Sequence, residues 1–240
     1  MIEVTYIDHM GSDLSVVNAA RVSFGKKSEF IVSGVPTNGP PERVLHQRDR
    51  KLIAYLAKHK HISPFGHCFA SFHIKAPIFV ARQLVKHKFL RWNEISRRYV
   101  DEEPEFYMPT IWRGRSVDKK QGSSKEEIEH IHYTCETTGN RSRTKIWRLL
   151  DHYQTHHVHD MYSGLLKAGV CPEQARMVLP QNMMTEWYWS GSLDAFADMC
   201  NLRCKSDTQA ETREVARQID HKMIEVFPVS WDALTDNSDD

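Results

Sequence analysis

The sequence lacks the features that mark membrane, secreted and nucleic-acid-binding proteins. No apolar run approaches the roughly 18 residues of a membrane span, and Met1–Ile7 has neither the basic nor the long apolar region of a signal peptide. The formal net charge is only +1, which gives no electrostatic reason to expect a nucleic acid or a lipid surface as a partner. These absences predict a cytoplasmic protein that binds no nucleic acid and no membrane.

Cysteine pairs and glycine-rich phosphate motifs are also missing. The five cysteines are odd in number and form no CxxC pair, which favours reduced thiols over a disulfide framework; they are Cys68, Cys135, Cys171, Cys200 and Cys204. The chain has no GxSxG, no GxxxxGK[ST] and no GxGxxG. A serine-hydrolase elbow, a P-loop and a Rossmann-type nicotinamide or flavin site are therefore not indicated.

The pattern of apolar residues predicts one α+β domain. The 240 residues, 40% of them hydrophobic, are enough for a large domain with its own core. The predicted strands are Met1–Ile7, Cys68–Ile74 and Met183–Ser190, the predicted helices are Asp13–Arg21, Arg48–Lys58, Pro77–Lys88, Thr144–Ala168, Glu173–Val178, Leu193–Leu202 and Thr208–Phe227, and the predicted loops are Gly34–Pro41 and Lys119–Ser124. Since no repeat or linker interrupts the chain, we expect a single domain over residues 1–235 and a frayed tail at Asp236–Asp240.

The segment from Phe79 to Tyr99 is the most informative part of the chain. An apolar run leads into a cluster of basic residues mixed with an amide, a carboxylate and a hydroxyl; the basic residues are Lys86, His87, Lys88, Arg91, Arg97 and Arg98. Like charges so close together bury badly in an ordinary core helix. They suit a phosphorylated planar ligand, because cations and hydroxyls bind phosphate while amide and carboxylate groups bind a base or a sugar. The alternative is that the apolar residues are core and the cations form a solvated helix end.

Three residues in this segment favour a ligand site over a solvated helix end. Glu94, Ser96 and Arg98 alternate along the chain, and alternate residues of an extended segment project from one face. A carboxylate, a hydroxyl and a guanidinium on one face can hold a sugar hydroxyl and a phosphate. We therefore expect these three side chains to point in the same direction.

Two other arginines and a histidine row carry weaker signals. Arg176 lies among apolar residues near a predicted helix start and could be a surface arginine with a snorkelling stem. Arg203 precedes Ser206 and Asp207, either of which could cap the next helix.

A row of histidines at i, i+4 and i+7 consists of His152, His156 and His159, beside Asp160. Such a row could bind a transition metal, but no carboxylate or cysteine pair completes the site. We therefore expect these histidines to lie on a solvent-exposed helix face, and we assign no metal to them.

Several ordered blocks are similar to those of one enzyme family. Lys86-His87-Lys88, followed after seven residues by Ser96, resembles the Arg-His-Arg and Ser signature of the flavin-dependent thymidylate synthases. Asn93–Ser96 and Arg98-Tyr99 match the family's NExSxRY pattern, and His61–His67 resembles its H-x-[ST]-P-F-E-H. Further counterparts are Phe106–Pro109, Lys120–Ser123, Ala175–Pro180, Thr185–Trp189 and Asn201–Gln209. The resemblance thus covers most of the chain.

The resemblance implies a fold, an assembly and a reaction. It implies an antiparallel sheet flanked by helices and a homotetramer whose active sites are shared between subunits. The implied reaction is the reductive methylation of dUMP to dTMP. Methylenetetrahydrofolate supplies the carbon, FAD is the cofactor and NADPH is the reductant. The classical synthase attacks uracil with a cysteine in a Pro-Cys-His context, whereas this chain has Cys171-Pro172 in the reverse order.

The same resemblance assigns residues to each ligand. Arg203 would be the catalytic residue at the uracil ring, where a fixed guanidinium stabilises negative charge. Ser96 would position substrate, because no base stands beside it to make it a nucleophile. The dUMP residues would be Gln83, Glu94, Ser96, Arg97, Arg98, Arg176 and Arg203; the FAD residues would be Ser63, Lys86, His87, Lys88, Glu94, Ser192, Asp194, Asp198 and Asp207; and His61 would lie near the folate and flavin.

The chain departs from the family mostly on the flavin side. Lys86 and Lys88 replace two arginines and so keep charge while losing bidentate geometry. Gly66 replaces a glutamate and Arg91 replaces a small residue, while Ser192, Asp194, Asp198 and Asp207 stand where the family has Asn, Arg, Asn and His. Two alternatives therefore stay open. One is a related enzyme such as a UMP methylase or a pyrimidine hydroxymethylase, and the other is a nucleotide-binding protein that has lost flavin chemistry.

Overall fold

The structure, a computed structural model, describes residues 1–33, 42–100, 102–117, 122–134 and 138–235. The strands are β1 (Glu3–Met10), β2 (Ile31–Ser33), β3 (Glu42–Val44), β4 (Phe69–Pro77), β5 (Leu90–Glu94), β6 (Arg113–Arg115), β7 (Ser123–Glu127), β8 (His130–Thr134), β9 (Arg141–Lys145) and β10 (Met184–Ser192). The helices are α1 (Asp13–Arg21), α2 (Gln47–Lys58), α3 (Ile78–Leu84), α4 (Ile146–Tyr153), α5 (His159–Lys167), α6 (Pro172–Ala175), α7 (Leu193–Arg203), α8 (Ala210–Val226) and α9 (Pro228–Leu234). The predicted loop at Gly34–Pro41, the first part of the one at Lys119–Ser124 and the predicted tail at Asp236–Asp240 lie outside the described residues.

A four-stranded antiparallel sheet in the order β1-β4-β10-β5 forms the centre of the fold. Alternate residues of β4 are buried, among them Phe72 and Ile74, as expected for a strand with one face on the core. Trp187 and Trp189 of β10 are almost fully buried, and Trp189 pairs with Trp92 on β5. The predicted antiparallel sheet flanked by helices is therefore confirmed.

Helices α1, α2, α7, α8 and α9 cover the buried face of the sheet. Their apolar side chains join those of β4 and β10 in one hydrophobic core; examples are Val16, Ile53, Phe196, Ile219 and Trp231. The short hairpins β2–β3, β6–β7 and β8–β9 lie outside this sheet. No helix among the described residues is long and apolar enough to cross a bilayer.

Two buried carboxylates connect elements that are distant in sequence. Asp49 on α2 accepts hydrogen bonds from Arg21 at 2.5 Å and from the hydroxyl of Ser28 at 3.0 Å. Asp13 on α1 accepts from the backbone N–H groups of Val229 and Ser230 at 3.0 and 2.8 Å. Asp13 therefore accepts hydrogen bonds from backbone N–H groups at the start of α9 that have no partner within the helix. The N-cap residue of α9 makes no side-chain hydrogen bond to them.

The predicted helix at Thr144–Ala168 is present in outline but contains a π-helical turn. A π-helical turn at Gln154–Val158 connects α4 to α5 without a break. Helix α5 ends at Lys167, two residues before Gly169, whose φ is 85°. The rings of His152 and His156 are 4.7 Å apart, and His157 also approaches His152. Among the described residues, no group of three or more His, Cys, Asp or Glu is placed to hold a metal ion.

The predicted helix at Pro77–Lys88 extends too far at its C-terminal end. Helix α3 ends at Leu84 rather than Lys88, so Lys86, His87 and Lys88 lie in a loop between α3 and β5. Phe89 has a φ of 64°, a left-handed conformation that a helix does not accommodate. The sequence analysis also missed β5, the three hairpins and α9. Helices α1, α2, α7 and α8 and strands β1, β4 and β10 agree with the prediction within a few residues.

Candidate active site

Arg203 and His87 form the best-defined contact of the predicted site. Arg203 is the last residue of α7, and its Nε donates a hydrogen bond to Nε2 of His87 at 3.0 Å. The imidazole lies edge-on to the buried indole of Trp189, with ring centroids 6.5 Å apart. The backbone N–H of His87 donates to the carbonyl of Leu84 at the end of α3. The folded chain thus brings together a loop and a helix end that are more than a hundred residues apart.

The electrostatics of this pair keep the imidazole neutral and the guanidinium charged. Burial, and after it the charge of Arg203, lowers the pKa of His87 to about 4. A neutral imidazole can accept a hydrogen bond on one nitrogen, as His87 does here. Burial also lowers the pKa of Arg203, but an arginine stays protonated near neutral pH. Among the described residues, the two terminal nitrogens of Arg203 make no hydrogen bond, so this fork is available to a ligand.

Glu94 and Gln83 supply a carboxylate and an amide near the same strands. Glu94 ends β5, where its Oε1 accepts from the hydroxyl of Thr185 at 2.7 Å and its Oε2 accepts from the indole N–H of Trp92 at 3.0 Å. Gln83 lies on α3, and its buried side-chain oxygen has no hydrogen-bond partner. A buried acceptor without a donor is costly unless a ligand supplies one. Gln83 therefore fits a ligand that carries an N–H group.

Arg98 and Arg176 form a second group around Glu173. Nε of Arg98 donates to the carboxylate of Glu173 at 3.1 Å, and Nε of Arg176 donates to the backbone carbonyl of Glu173 at 3.3 Å. The ion pair is half exposed, with 50% and 54% of the two side chains accessible. Exposed pairs of this kind are weak, so Arg98 remains able to exchange Glu173 for a phosphate.

The expected common face of Glu94, Ser96 and Arg98 is not observed. Strand β5 ends at Glu94, and the chain turns at Ser96, whose carbonyl accepts from the N–H of Tyr99 and of Val100. The hydroxyl of Ser96 accepts from the backbone N–H of Arg98 at 3.3 Å. The prediction of an extended segment was wrong because this local turn satisfies the backbone groups that a strand would have left to a neighbour.

The guanidinium of Arg97 donates a hydrogen bond to the backbone carbonyl of Glu102. Among the described residues, no hydrogen bond or ion pair joins Arg98 or Arg176 to Arg203. Within one chain, direct hydrogen bonds therefore do not join the predicted substrate residues into one network.

The predicted flavin residues lie on several different elements. Ser192 pairs with Phe69 at the end of the sheet, and the N–H of Leu193 donates to the carbonyl of Cys68, which brings the start of α7 beside the turn at Phe65–His67. A Cβ added at Gly66 would lie 3.9 Å from the Oδ1 atom of Asp194. Ser63 precedes this turn and is exposed, as is His61, which packs near Tyr55 and His59.

Several charged side chains on the flavin side have no hydrogen-bond or ion-pair partner among the described residues. Asp194 has a buried oxygen with no hydrogen-bond partner, and burial together with the charge of Asp194 raises the pKa of Asp198 one turn further along α7. Lys86 and Lys88 are exposed, and the described residues offer them no hydrogen bond or ion pair. Asp207 lies apart from these residues, in a groove of about 570 Å³ that Gly122 and Ser123 also line.

Sequence reasoning missed two residues that hold predicted site residues in place. Glu173 binds Arg98 through its carboxylate and Arg176 through its backbone carbonyl. No sequence signal could have identified these contacts, because the first joins residues 75 positions apart and the second uses a main-chain atom. Thr185 binds Glu94, and only the register between β10 and β5 reveals that contact.

Comparisons with known proteins give a consistent result over nearly the whole chain. The family model described as "Thymidylate synthase complementing protein" matches residues 5–229. A flavin-dependent thymidylate synthase of Thermus thermophilus is 35% identical over 234 residues, which cover 98% of this chain and 76% of that relative. One of Kosmotoga olearia is 38% identical over 239 residues, covering 96% of this chain and 89% of that relative.

The chain belongs to the flavin-dependent thymidylate synthase family. Among solved structures, it is similar to a UMP/dUMP methylase of Streptomyces cacaoi bound with 5-Br dUMP. The TM-score is 0.73 at 28% sequence identity, and the alignment covers 97% of this chain and 94% of that chain. The family resemblance of the sequence blocks is therefore confirmed, and the fold agrees with it.

The side chains of this family member fit a flavin dinucleotide. Its pyrophosphate would face the lysines, and a hydrogen-bond donor of the flavin would face Asp194. Two free ammonium groups, on Lys86 and Lys88, suit a pyrophosphate. The orphaned oxygen of Asp194 requires a donor such as a hydroxyl or a ring N–H, and would repel a phosphate. The absence of a side chain at Gly66 leaves room beside that oxygen.

Proposed function

We propose that this protein methylates dUMP to dTMP reductively, with methylenetetrahydrofolate as carbon donor, FAD as cofactor and NADPH as reductant. The observation that carries the proposal is the guanidinium of Arg203, whose Nε is held by His87 while its terminal nitrogens are free. Membership of the flavin-dependent thymidylate synthase family supports the reaction type.

Arg203 would activate the uracil ring. C5 of uracil is a poor nucleophile until negative charge builds up on N3 and O4, and a fixed planar cation beside those atoms stabilises that charge. The orphaned oxygen of Gln83 would accept the N–H of the base, and Glu94, oriented by Thr185 and Trp92, would accept a sugar hydroxyl.

The phosphate of dUMP would lie at the second arginine group. Arg98 and Arg176 both donate to Glu173, and a phosphate offers a stronger acceptor than a half-exposed carboxylate. Ser96 and Arg97, in the same turn region, would add a hydroxyl and a further cation. Glu173 would then keep both arginines oriented when no substrate is bound.

A bound flavin would supply the hydride and electron chemistry that no side chain provides. Lys86 and Lys88 would hold its pyrophosphate, and Ser63, Ser192 and Asp194 would contact its polar groups around the start of α7. Asp198 would contact the flavin from α7, Asp207 would contact it from the groove that Gly122 and Ser123 line, and His61 would lie near the folate and flavin.

We further propose a cytoplasmic homotetramer in which each active site is shared between subunits. Three large apolar side chains beside the site residues are exposed, namely Phe89 at 82%, Tyr99 at 80% and Met177 at 77%. Exposed large apolar side chains next to ligand-binding residues are typical of a surface that a second chain covers.

A second candidate is methylation of UMP. The structural similarity to a UMP/dUMP methylase favours it. Discrimination against UMP would then rest on how closely Glu94 approaches the sugar.

Product analysis by mass spectrometry tests the proposal. Purified protein, with added FAD, NADPH and methylenetetrahydrofolate, is incubated with dUMP, UMP or dCMP. Conversion of dUMP to dTMP is expected, and it should stop when FAD or the folate is omitted. Conversion of UMP alone would replace the leading proposal with the second one. Nucleotide binding without any product, and no uptake of FAD, would contradict both and point to a binding protein.

A further inference from the structure

His87 has a different position from the one its motif suggested. The basic triplet was expected to contact flavin, yet Nε2 of His87 is occupied by the Nε–H of Arg203 at 3.0 Å. If Nε2 accepts, the proton of the neutral ring must be on Nδ1. A flavin could therefore reach only the Nδ1 side or the face of the imidazole.

The contact restrains a side chain that otherwise has many conformations. Arg203 ends α7, and among the described residues the only hydrogen bond of its side chain is the one to His87. A hydrogen bond at Nε fixes the plane of the guanidinium and leaves the two terminal nitrogens pointing away from the acceptor. His87 is itself fixed, by the carbonyl of Leu84 and by the edge-on packing against Trp189.

We propose that His87 is a positioning residue, which acts on the reaction through Arg203 rather than through the flavin. The inference rests on the proposed function, because it assigns to His87 the task of orienting the guanidinium that stabilises charge on the pyrimidine. The neutral imidazole accepts a hydrogen bond without competing for the terminal nitrogens. A carboxylate at the same place would bind the whole fork and withhold it from the substrate.

Two substitutions of His87 separate its possible roles. His87→Gln keeps an acceptor near the position of Nε2, whereas His87→Leu keeps volume and removes the acceptor. We expect H87L to lower kcat/KM for dUMP by about tenfold to a hundredfold, the range of a hydrogen bond to a charged group. H87Q should recover most of this loss. The affinity for FAD, measured by quenching of flavin fluorescence, should stay within about twofold of wild type in both.

A double-mutant cycle with Arg203→Lys tests whether His87 acts through Arg203. A lysine has no Nε–H to donate to His87 and no planar fork. If His87 acts only through Arg203, then H87L should have almost no further effect on kcat/KM in the R203K background. Additive effects, or a loss of FAD affinity of tenfold or more in H87L with dUMP affinity unchanged, would overturn the proposal and restore a flavin contact.

The cycle distinguishes failure of the inference from failure of the proposed function. If wild-type protein makes no product from dUMP, UMP or dCMP, then the proposed function is wrong. If wild type is active and the cycle is additive, then the function stands and the positioning role is wrong. Should H87L fail to fold, H87Q and R203K still decide the matter. Positioning predicts that H87Q stays close to wild type, and a loss in H87Q as large as in R203K would contradict it.

Discussion

At the scale of single residues, the site depends on how Arg203 is held and what it leaves free. Its Nε donates to His87, and its terminal nitrogens make no hydrogen bond among the described residues. Electrostatic stabilisation by a preorganised donor is a large contribution to catalysis, and it is lost when the donor moves or changes shape. A lysine keeps the charge but replaces a planar fork with a single ammonium.

Arg203→Lys should therefore remove most activity while leaving the fold intact. We expect kcat for the dUMP reaction to fall by about a hundredfold or more, and the melting temperature to stay near that of wild type. Arg50→Lys is the matched control, because Arg50 is exposed on α2 and its side chain makes no hydrogen bond or ion pair among the described residues. Similar losses in R203K and R50K would contradict the role of Arg203.

The low pKa of His87 predicts a pH dependence of stability. Burial, followed by the charge of Arg203, lowers the pKa of the folded imidazole from 6.5 to about 4. Between these values the unfolded chain binds a proton that the folded chain does not, so the free energy of unfolding falls as pH drops through this window. Above the unfolded value, His87 contributes no pH dependence. Urea unfolding of His87→Gln should show a shallower decline over the same window, and a decline identical to that of wild type would contradict the lowered pKa.

At the scale of elements, long periodic segments were predictable and short or polar ones were not. Helices α1, α2 and α8 carry clear apolar periodicity, and β4 and β10 alternate or are rich in aromatic residues, so local physics alone identifies them. Strand β5 was missed because it is only five residues long and mixes polar with apolar residues. Only its pairing with β10 identifies it as a strand.

The candidate site shows the same division between local and long-range information. The arginines, Gln83 and Glu94 could be identified from ordered sequence blocks. The bonds from Arg203 to His87 and from Thr185 to Glu94 could not, because each joins residues far apart in sequence that meet only after the sheet and α7 have packed. The turn at Ser96 was likewise hidden by an alternating pattern that resembles a strand.

Asp13 gives a test of packing between elements. Its carboxylate accepts from two backbone N–H groups at the start of α9, and it is almost fully buried. Asp13→Ala should lower the free energy of unfolding by about 1–2 kcal/mol, the usual cost of a lost helix cap. The measurement is urea unfolding at a fixed protein concentration, with Asp151→Ala on the exposed side of α4 as the control. Equal stability of D13A and D151A would show that this cap contributes nothing.

At the scale of the whole molecule, the exposed apolar groups beside the site predict assembly. Phe89 is 82% exposed and has a φ of 64°, so a bulky residue is held in a strained conformation without burial in one chain. A partner subunit that covered Phe89 would explain why this residue stands there.

Phe89→Asn should weaken the proposed tetramer without unfolding the subunit. Asparagine adopts a positive φ more readily than phenylalanine and offers no apolar surface. Light scattering coupled to size-exclusion chromatography should show a smaller mass for F89N than for wild type at low micromolar concentration. Phe89→Leu keeps an apolar side chain and should stay assembled. If F89N has the same mass as wild type, Phe89 is not part of the interface.

The most direct test of the central claim is the release of tritium from dUMP labelled at C5. The assay contains the purified protein, NADPH, methylenetetrahydrofolate and added FAD. The account predicts release that depends on FAD and on Arg203, since loss of the C5 hydrogen requires the activated ring. No release, from a protein that still binds dUMP, would contradict it.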